Sequence, residues 1–397
     1  MATVTPQTPL GLFGTDALID EESLAIRDTV RRFVEEKVRP EISEWYETGS
    51  IPARDLAKEL GSLGVLGMHL EGYGCAGTTA TAYGLACMEL EAGDSGLRSL
   101  VSVQGSLAMF AIWKFGSEEQ KSEWLPRMAA GEAIGCFGLT EPDFGSNPGG
   151  MLTTAKKDGD GWVLNGAKMW ITNGSMADIA IVWAKTGDIE DVDSIRGFIV
   201  PTDTKGFSAK DQKGKLSLLA SDTSELVLQD VRVGADALLP QSGGLKSPLM
   251  CLTQARYGIA WGALGAAMAC YDEALSYSKQ RTQFGDSPIG GKQLQQARLA
   301  EMLTKITQNQ LLVLQLGRMK DKGTMRPQQV SMAKRACVDM ACEVAREARR
   351  LLGANGILVE YSAMRHMANL ESVYTYEGTH DIHTLILGQD VTGFAAY

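Results

Sequence analysis

The chain has 397 residues, 44% of them hydrophobic and 22% charged, with a formal net charge of −10, which describes a globular protein with material for a large core in two or three domains. That acidic balance excludes a general nucleic-acid surface, and no stretch approaches the roughly twenty apolar residues of a membrane span. Seven dispersed cysteines without a Cys-x-x-Cys pattern indicate reduced thiols. The first twenty residues carry neither a basic residue nor a long apolar run, so no signal or transit peptide is expected, and the compartment reads as a bacterial cytoplasm or, in a eukaryote, the mitochondrial matrix.

Over residues 21–39 the apolar positions Ile26, Val30, Phe33, Val34 and Val38 follow helical spacing, and Pro40 ends the run. Amphipathic segments follow around 53–63, 81–91 and 100–115. Ser117-Glu118-Glu119-Gln120 reads as a capping box opening a helix in which Trp124 and Leu125 precede Pro126. Residues 1–135 therefore read as a helical domain.

The character changes near Cys136. Asp158-Gly159-Asp160-Gly161 reads as a turn between strands at 153–157 and 162–164. Short β-rich runs at 179–184, 197–200 and 225–228 continue the pattern, so residues 136–240 are expected to form a small antiparallel sheet or barrel. From Lys246 the helical period returns in three segments near 249–279, 294–320 and 327–352, each about 40 Å long at 1.5 Å per residue. They read as three helices of a four-helix bundle over 241–397, with the fourth after Gly378. The expected class is α+β: an N-terminal helical domain, a middle antiparallel β domain and a C-terminal four-helix bundle.

Tyr374-Thr375-Tyr376-Glu377-Gly378-Thr379-His380-Asp381-Ile382-His383 sets one carboxylate, Glu377, between an aromatic ring and a glycine. An acid beside glycine can sit on a tight turn, where its N–H and its side chain face one ligand. Apolar neighbours would raise its pKa towards the range of a general base. Taken alone, the stretch also reads as a surface turn with a solvated Glu. His380, Asp381 and His383 suggest metal ligation, but no further ligand stands at matching spacing, and no metal is expected.

The order of helical third, β middle and long helices resembles the acyl-CoA dehydrogenase family. Gly138-Leu139-Thr140-Glu141-Pro142-Asp143-Phe144-Gly145-Ser146-Asn147, Trp170-Ile171-Thr172-Asn173, Arg281-Thr282-Gln283-Phe284-Gly285 and Leu352-Gly353-Ala354-Asn355-Gly356 are similar to its flavin segments. Tyr376-Glu377-Gly378-Thr379 makes a fifth match in order. Asp94-Ser95-Gly96-Leu97-Arg98-Ser99, Ala255 to Gly262, Gly72 to Gly77 and Thr375 to His383 resemble the glutaryl-CoA dehydrogenase branch. Asn147 stands where the family usually has Asp, and Ala354 where it often has Gly.

The resemblance implies FAD as cofactor and an acyl-CoA as substrate. It assigns Phe137, Leu139, Thr140, Ser146, Trp170, Ile171 and Thr172 to the isoalloxazine and ribityl chain, with Ser146 also facing the substrate. It assigns Arg281 and Gln293 to the flavin of a neighbouring subunit, and Phe284, Gly353, Gly356, Thr379 and Tyr397 to further cofactor contacts. Glu377 matches the base, supplying both carboxylate and backbone N–H to the thioester, with Gly378 beside it. The family's other base position is Ala255 here, which cannot serve. Arg256 matches a residue of the substrate channel.

Glu91, Arg98 and Ser99 distinguish the substrate. An Arg in an apolar pocket calls for an anion, which a dicarboxylic acyl chain supplies; alternatively Arg98 pairs with Asp94, four residues earlier, if that stretch is helical. The implied reaction is oxidative decarboxylation of glutaryl-CoA to crotonyl-CoA and carbon dioxide, with Glu91 matching the acid of decarboxylating members and an electron-transfer flavoprotein as partner. The implied assembly is a homotetramer working in amino-acid catabolism. The alternatives are a dehydrogenase of another short acyl-CoA, a non-decarboxylating glutaryl-CoA dehydrogenase, and a flavin-binding scaffold without turnover.

Overall fold

The computed structural model describes residues 8–396. Helix α1 (Glu21–Phe33) starts where the Asp20 carboxylate accepts the Ser23 amide at 2.8 Å, which satisfies one of the free donors of the first turn. It widens into a π-turn over Val34–Val38 before Pro40. Two short helices, α2 (Ile42–Thr48) and α3 (Ala53–Ser62), and a small hairpin of β1 (Glu71–Gly72) and β2 (Cys75–Ala76) follow. Helix α4 (Ala80–Gly93) packs against α1. The sequence suggests an amphipathic helix there, yet α4 is buried nearly all round.

The extended Asp94 breaks the chain and caps the next helix, α5 (Ser95–Ser102), by accepting the Gly96 amide at 2.7 Å. Another π-turn (Val103–Met109) carries α5 into α6 (Phe110–Phe115). The Ser117 capping box forms as its residues imply, and α7 (Glu118–Ala129) runs on through Pro126.

The middle region is a seven-stranded sheet of β3 (Gly135–Gly138), β4 (Thr154–Asp158), β5 (Gly161–Thr172), β6 (Ile179–Lys185), β7 (Ile195–Pro201), β8 (Phe207–Asp211) and β9 (Thr223–Val233). Most pairings are antiparallel. β3, entering from the helical region, instead runs parallel to β6, so the sheet is mixed. β5 extends eight residues beyond the 162–164 run because register shifts at Leu164/Gly166 and Lys168/Ile171 interrupt its alternation.

Helices α8 (Lys246–Gln280), α9 (Gln293–Asp321) and α10 (Pro327–Leu351) are the three long C-terminal helices. Two more follow. α11 (Ser362–Thr375) packs on α8 and α10, and α12 (His380–Thr392) packs on α10. The helix after Gly378 is thus present, and α11 is an addition. The sequence hides it because its buried positions include Arg365, His366 and Asn369, which blur the apolar period. α4 packs on α8 and α9, so the N-terminal region and the bundle share one core. No helix among the described residues is long and apolar enough to cross a membrane.

Candidate active site

The short segment between α11 and α12 carries Glu377. Thr379 caps α12 by accepting the Ile382 amide at 3.2 Å. Glu377 (φ 54°) and Gly378 (φ 91°) both lie in the left-handed region, which costs a non-glycine residue roughly 1–2 kcal/mol. Contacts from two helices hold that conformation. Arg256 of α8 donates from Nε to the Glu377 carbonyl at 2.7 Å. Lys334 of α10 donates to the Gly378 carbonyl at 2.7 Å and to the Tyr376 carbonyl. Residue 378 favours glycine because of its φ of 91°, and a Cβ there would also crowd His383 Nε2 at 3.0 Å and Arg256 Nη2 at 3.2 Å.

The Glu377 residue is half-buried, but its Oε2 is enclosed and accepts no hydrogen bond. Burial raises its pKa above the usual carboxylate value, opposed by the nearby cations Arg98, Lys334 and Arg256. Burial also pushes His383 down to about 3, so its ring is neutral at pH 7, and Nδ1 shares a 3.0 Å hydrogen bond with Ser331 Oγ. His380 stacks on Tyr374 at 4.4 Å.

Beside this turn lies a buried ion pair. Arg98, 1% exposed, donates from Nε to Glu91 Oε2 at 2.7 Å, and Glu91 is 0% exposed. Arg98 also reaches the Tyr376 hydroxyl. Ser95 Oγ donates to the other Glu91 oxygen at 2.9 Å. The two partners sit on different helices, α4 and α5, rather than on one helical face. Gly262 of α8 makes room for them, because a Cβ there would overlap Glu91 Oε2. Asp94 is engaged elsewhere, accepting from Arg365 Nη1 at 2.7 Å and Asn369 Nδ2 at 2.9 Å. The Arg98–Asp94 pair left open by the sequence is therefore not formed. Ser99 Oγ is buried beside the Tyr376 hydroxyl. Ala255 is fully buried and offers no carboxylate.

Of the expected catalytic and substrate residues, Glu377, Gly378, Arg256, Glu91 and Arg98 are joined through the contacts above, Ser99 lies beside Tyr376, and Ser146 stands apart on an exposed loop. The structure also adds two groups the sequence reading missed. Lys334 lies on the buried face of α10 beside Val330, Ala333 and Val338; a lysine on an apolar stripe is the sign that could have found it. Tyr376 enters through its hydroxyl, which sequence position alone does not aim.

Three family descriptions match in order: acyl-CoA dehydrogenase N-terminal domain over residues 20–132, middle domain over 136–231 and C-terminal domain over 242–392. The chain belongs to the acyl-CoA dehydrogenase family. A glutaryl-CoA dehydrogenase of Mycobacterium smegmatis, solved in complex with FADH2, superposes with a TM-score of 0.95 and 57% identity, covering 98% of this chain and 99% of its own. A short-chain specific acyl-CoA dehydrogenase of Megasphaera elsdenii is 38% identical over 362 residues, 90% of this chain and 94% of that one. A structure described as the electron transferring flavoprotein of Acidaminococcus fermentans matches with a TM-score of 0.91 and 34% identity, over 94% of this chain and 98% of that one. The chain is an FAD-dependent acyl-CoA dehydrogenase.

The residues suit the flavin of such an enzyme. Lys168 of β5 donates to the Leu139 carbonyl at 3.1 Å and pairs with Glu141 at 2.8 Å, and the Met169 amide donates to the Thr140 carbonyl at 2.9 Å. These bonds tie the segment after β3 to β5. Along the joined segments Phe137, Leu139 and Ile171 are buried, while Trp170 (φ 63°) turns outward and is 61% exposed. An open indole face near threonine hydroxyls is the donor set that a flat ring with a polyol chain needs. Thr140 and Thr172 are half-buried, and Ser146 lies on an exposed loop.

Arg281 and Phe284 occupy the exposed connection from α8 to α9, with Phe284 95% exposed, and the exposed Gln293 opens α9. Gly353 and Gly356 lie in the turn after α10. Among the described residues, neither group is joined to the 137–172 segments by a hydrogen bond. Tyr397, the remaining cofactor expectation, lies outside the described residues.

Proposed function

We propose that this dehydrogenase oxidises glutaryl-CoA and decarboxylates it to crotonyl-CoA and carbon dioxide, with an electron-transfer flavoprotein taking the electrons. The observation that carries this reading is the fully buried Arg98–Glu91 pair, 2.7 Å long, whose arginine reaches the tyrosine next to Glu377. A buried cation at an acyl pocket is costly without an anion, and a dicarboxylic acyl chain brings one.

Glu377 is the proposed base. Burial raises its pKa above the usual carboxylate value, which makes it a stronger base, and its turn lets the same residue offer a backbone N–H to the thioester oxygen. Bound FAD supplies the acceptor for the hydride that leaves the β carbon. Glu91 shares the charge of Arg98, which weakens the hold on the distal carboxylate. When that carboxylate departs as carbon dioxide, the electrons of its C–C bond enter a dienolate, and protonated Glu377 returns its proton there.

One observation favours a second reading. Glu91 already neutralises Arg98, so the pocket also suits a short apolar acyl chain or a glutaryl chain that keeps its carboxylate. Anaerobic titration of the flavin with glutaryl-CoA and butyryl-CoA, followed by product analysis after one turnover, separates these readings. Preferential bleaching by glutaryl-CoA with release of crotonyl-CoA and carbon dioxide supports the first. Preference for butyryl-CoA, or glutaconyl-CoA as product, supports the second.

A homotetramer would cover the exposed Phe284 (95%), Leu294 (74%) and Ile357 (58%), and Arg281 and Gln293 would then meet a neighbour's flavin. Domain limits at 1–135, 136–240 and 241–397 fit the element order, and free cysteines fit a reducing compartment such as a bacterial cytoplasm.

A further inference from the structure

The turn that carries Glu377 is clamped at three successive carbonyls by two cations. Lys334 holds the carbonyls of Tyr376 and Gly378, one on each side of Glu377, and Arg256 holds that of Glu377 itself. Lys334 is 2% exposed and forms no ion pair among the described residues. Burial pulls the Lys334 pKa down to about 7, with the nearby Glu377 carboxyl acting to raise it, and hydrogen-bond acceptors favour the charged form. Here the acceptors are the two carbonyls, with the ring of Tyr376 centred 5.8 Å away. Ser331, one turn earlier on the same face of α10, holds His383 at 3.0 Å. One face of α10 thus supports both ends of the turn.

We propose that Lys334 is a positioning residue for proton transfer by Glu377: it fixes the left-handed turn through the two flanking carbonyls and sets a cation beside the carboxyl. This rests on the reading of Glu377 as the base. The ammonium is compact and donates in three directions, which lets one atom bridge two carbonyls. Without that bridge, Glu377 and Gly378 are free to leave a conformation that non-glycine residues disfavour.

The charge has a second consequence. The groups facing Glu377 are Arg98 of α5 with its partner Glu91 of α4, Arg256 of α8, Lys334 of α10, Tyr376 at the end of α11, and His383 of α12. His383 is held neutral by burial, and Arg98 is shared with Glu91. Arg98, Lys334 and Arg256 act against the burial that raises the Glu377 pKa. Removing one of these cations moves the carboxyl further up, so the base ionises at higher pH.

The test is the pH dependence of anaerobic flavin bleaching in a single turnover, using whichever of glutaryl-CoA and butyryl-CoA reduces the wild-type holoenzyme faster. Lys334→Met is expected to lower the rate at pH 7 by about tenfold to a hundredfold and to shift the rising limb upward by about one pH unit. Lys334→Arg, which keeps the charge, is expected to return the limb towards its wild-type position. An unshifted limb in Lys334→Met, with the same fractional loss at every pH, would overturn the proposal and leave a packing role. Should that variant lose FAD or fail to fold, Lys334→Gln, uncharged but able to donate, is judged by the same limb. Glu377→Gln separates the two ideas. If it bleaches normally, the base assignment fails; if it is inert while the Lys334→Met limb stays put, only the role of Lys334 fails.

Discussion

Arg98 and Glu91 meet at 2.7 Å across the break between two helices, and neither side chain is measurably open to solvent. Removing one partner of such a pair strands the other charge, which typically costs about 3–5 kcal/mol, whereas removing both charges can be nearly neutral. Arg98→Met is therefore expected to lower thermal stability markedly, and Glu91→Gln combined with Arg98→Met to recover much of it. In the double variant, butyryl-CoA should reduce the flavin far better than glutaryl-CoA, with glutaryl efficiency down by roughly two to three decades. Equal losses on the two substrates would show that Arg98 is structural.

Glu377 combines an unpartnered buried oxygen with a pKa raised by burial. Glu377→Gln keeps the size of the side chain and removes the proton acceptor. Bleaching by acyl-CoA is expected to fall by several orders of magnitude, while FAD content and acyl-CoA binding persist. Stopped-flow absorbance of the anaerobic holoenzyme measures both, and near-normal bleaching refutes the assignment.

The three-part architecture and the Glu377 turn are legible in the sequence because they rest on local patterns: long apolar periods, a capping box, and an acid beside glycine. What was not legible depends on distant contacts or on broken patterns. α11 hides behind buried Arg365, His366 and Asn369, whose partners include Asp94, far away in sequence. β5 loses its alternation at two register shifts. Glu91 and Arg98 look like neighbours on one helical face, yet Asp94 ends that helix and the pair forms between two helices instead. Lys334 reaches a carbonyl 42 residues away, a relation that spacing does not encode.

Three histidines lie buried with at least one ring nitrogen unpartnered: His69, His366 and His383. Burial holds the first two well below the ordinary imidazole value of 6.5 and the third down to about 3. The unfolded chain takes up these protons below pH 6.5 while the folded chain does not, so their contribution is intact above that pH and is lost as pH falls. Each group contributes a slope of up to ~1.4 kcal/mol per pH unit. Glu377, Asp222 and Asp272, carboxyls raised by burial, act in the opposite sense, starting from ordinary values below 5. The Tm of the holoprotein is therefore expected to drop between pH 7.5 and pH 5.5, and His69→Phe, which keeps a ring against Tyr83, to show a shallower drop. A flat Tm over that range would contradict the assignment.

The partition between crotonyl-CoA and glutaconyl-CoA is expected to turn on Glu91. Its two oxygens accept from Arg98 Nε at 2.7 Å and from Ser95 Oγ at 2.9 Å, so Glu91→Gln can keep the shape and one acceptor while removing the charge. Arg98 is then the uncompensated partner of the substrate's distal carboxylate. A tighter charge-assisted pair stabilises that carboxylate in the ground state, and decarboxylation must break the pair. Glu91→Gln is therefore expected to bind glutaryl-CoA about tenfold more tightly or better, to oxidise it at a comparable or lower rate, and to release a larger share of glutaconyl-CoA. Mass analysis of the acyl-CoA products and capture of carbon dioxide after one anaerobic turnover measure the partition. Unchanged crotonyl-CoA and carbon dioxide, together with unchanged glutaryl-CoA binding, would show that Glu91 does not govern the fate of the carboxylate.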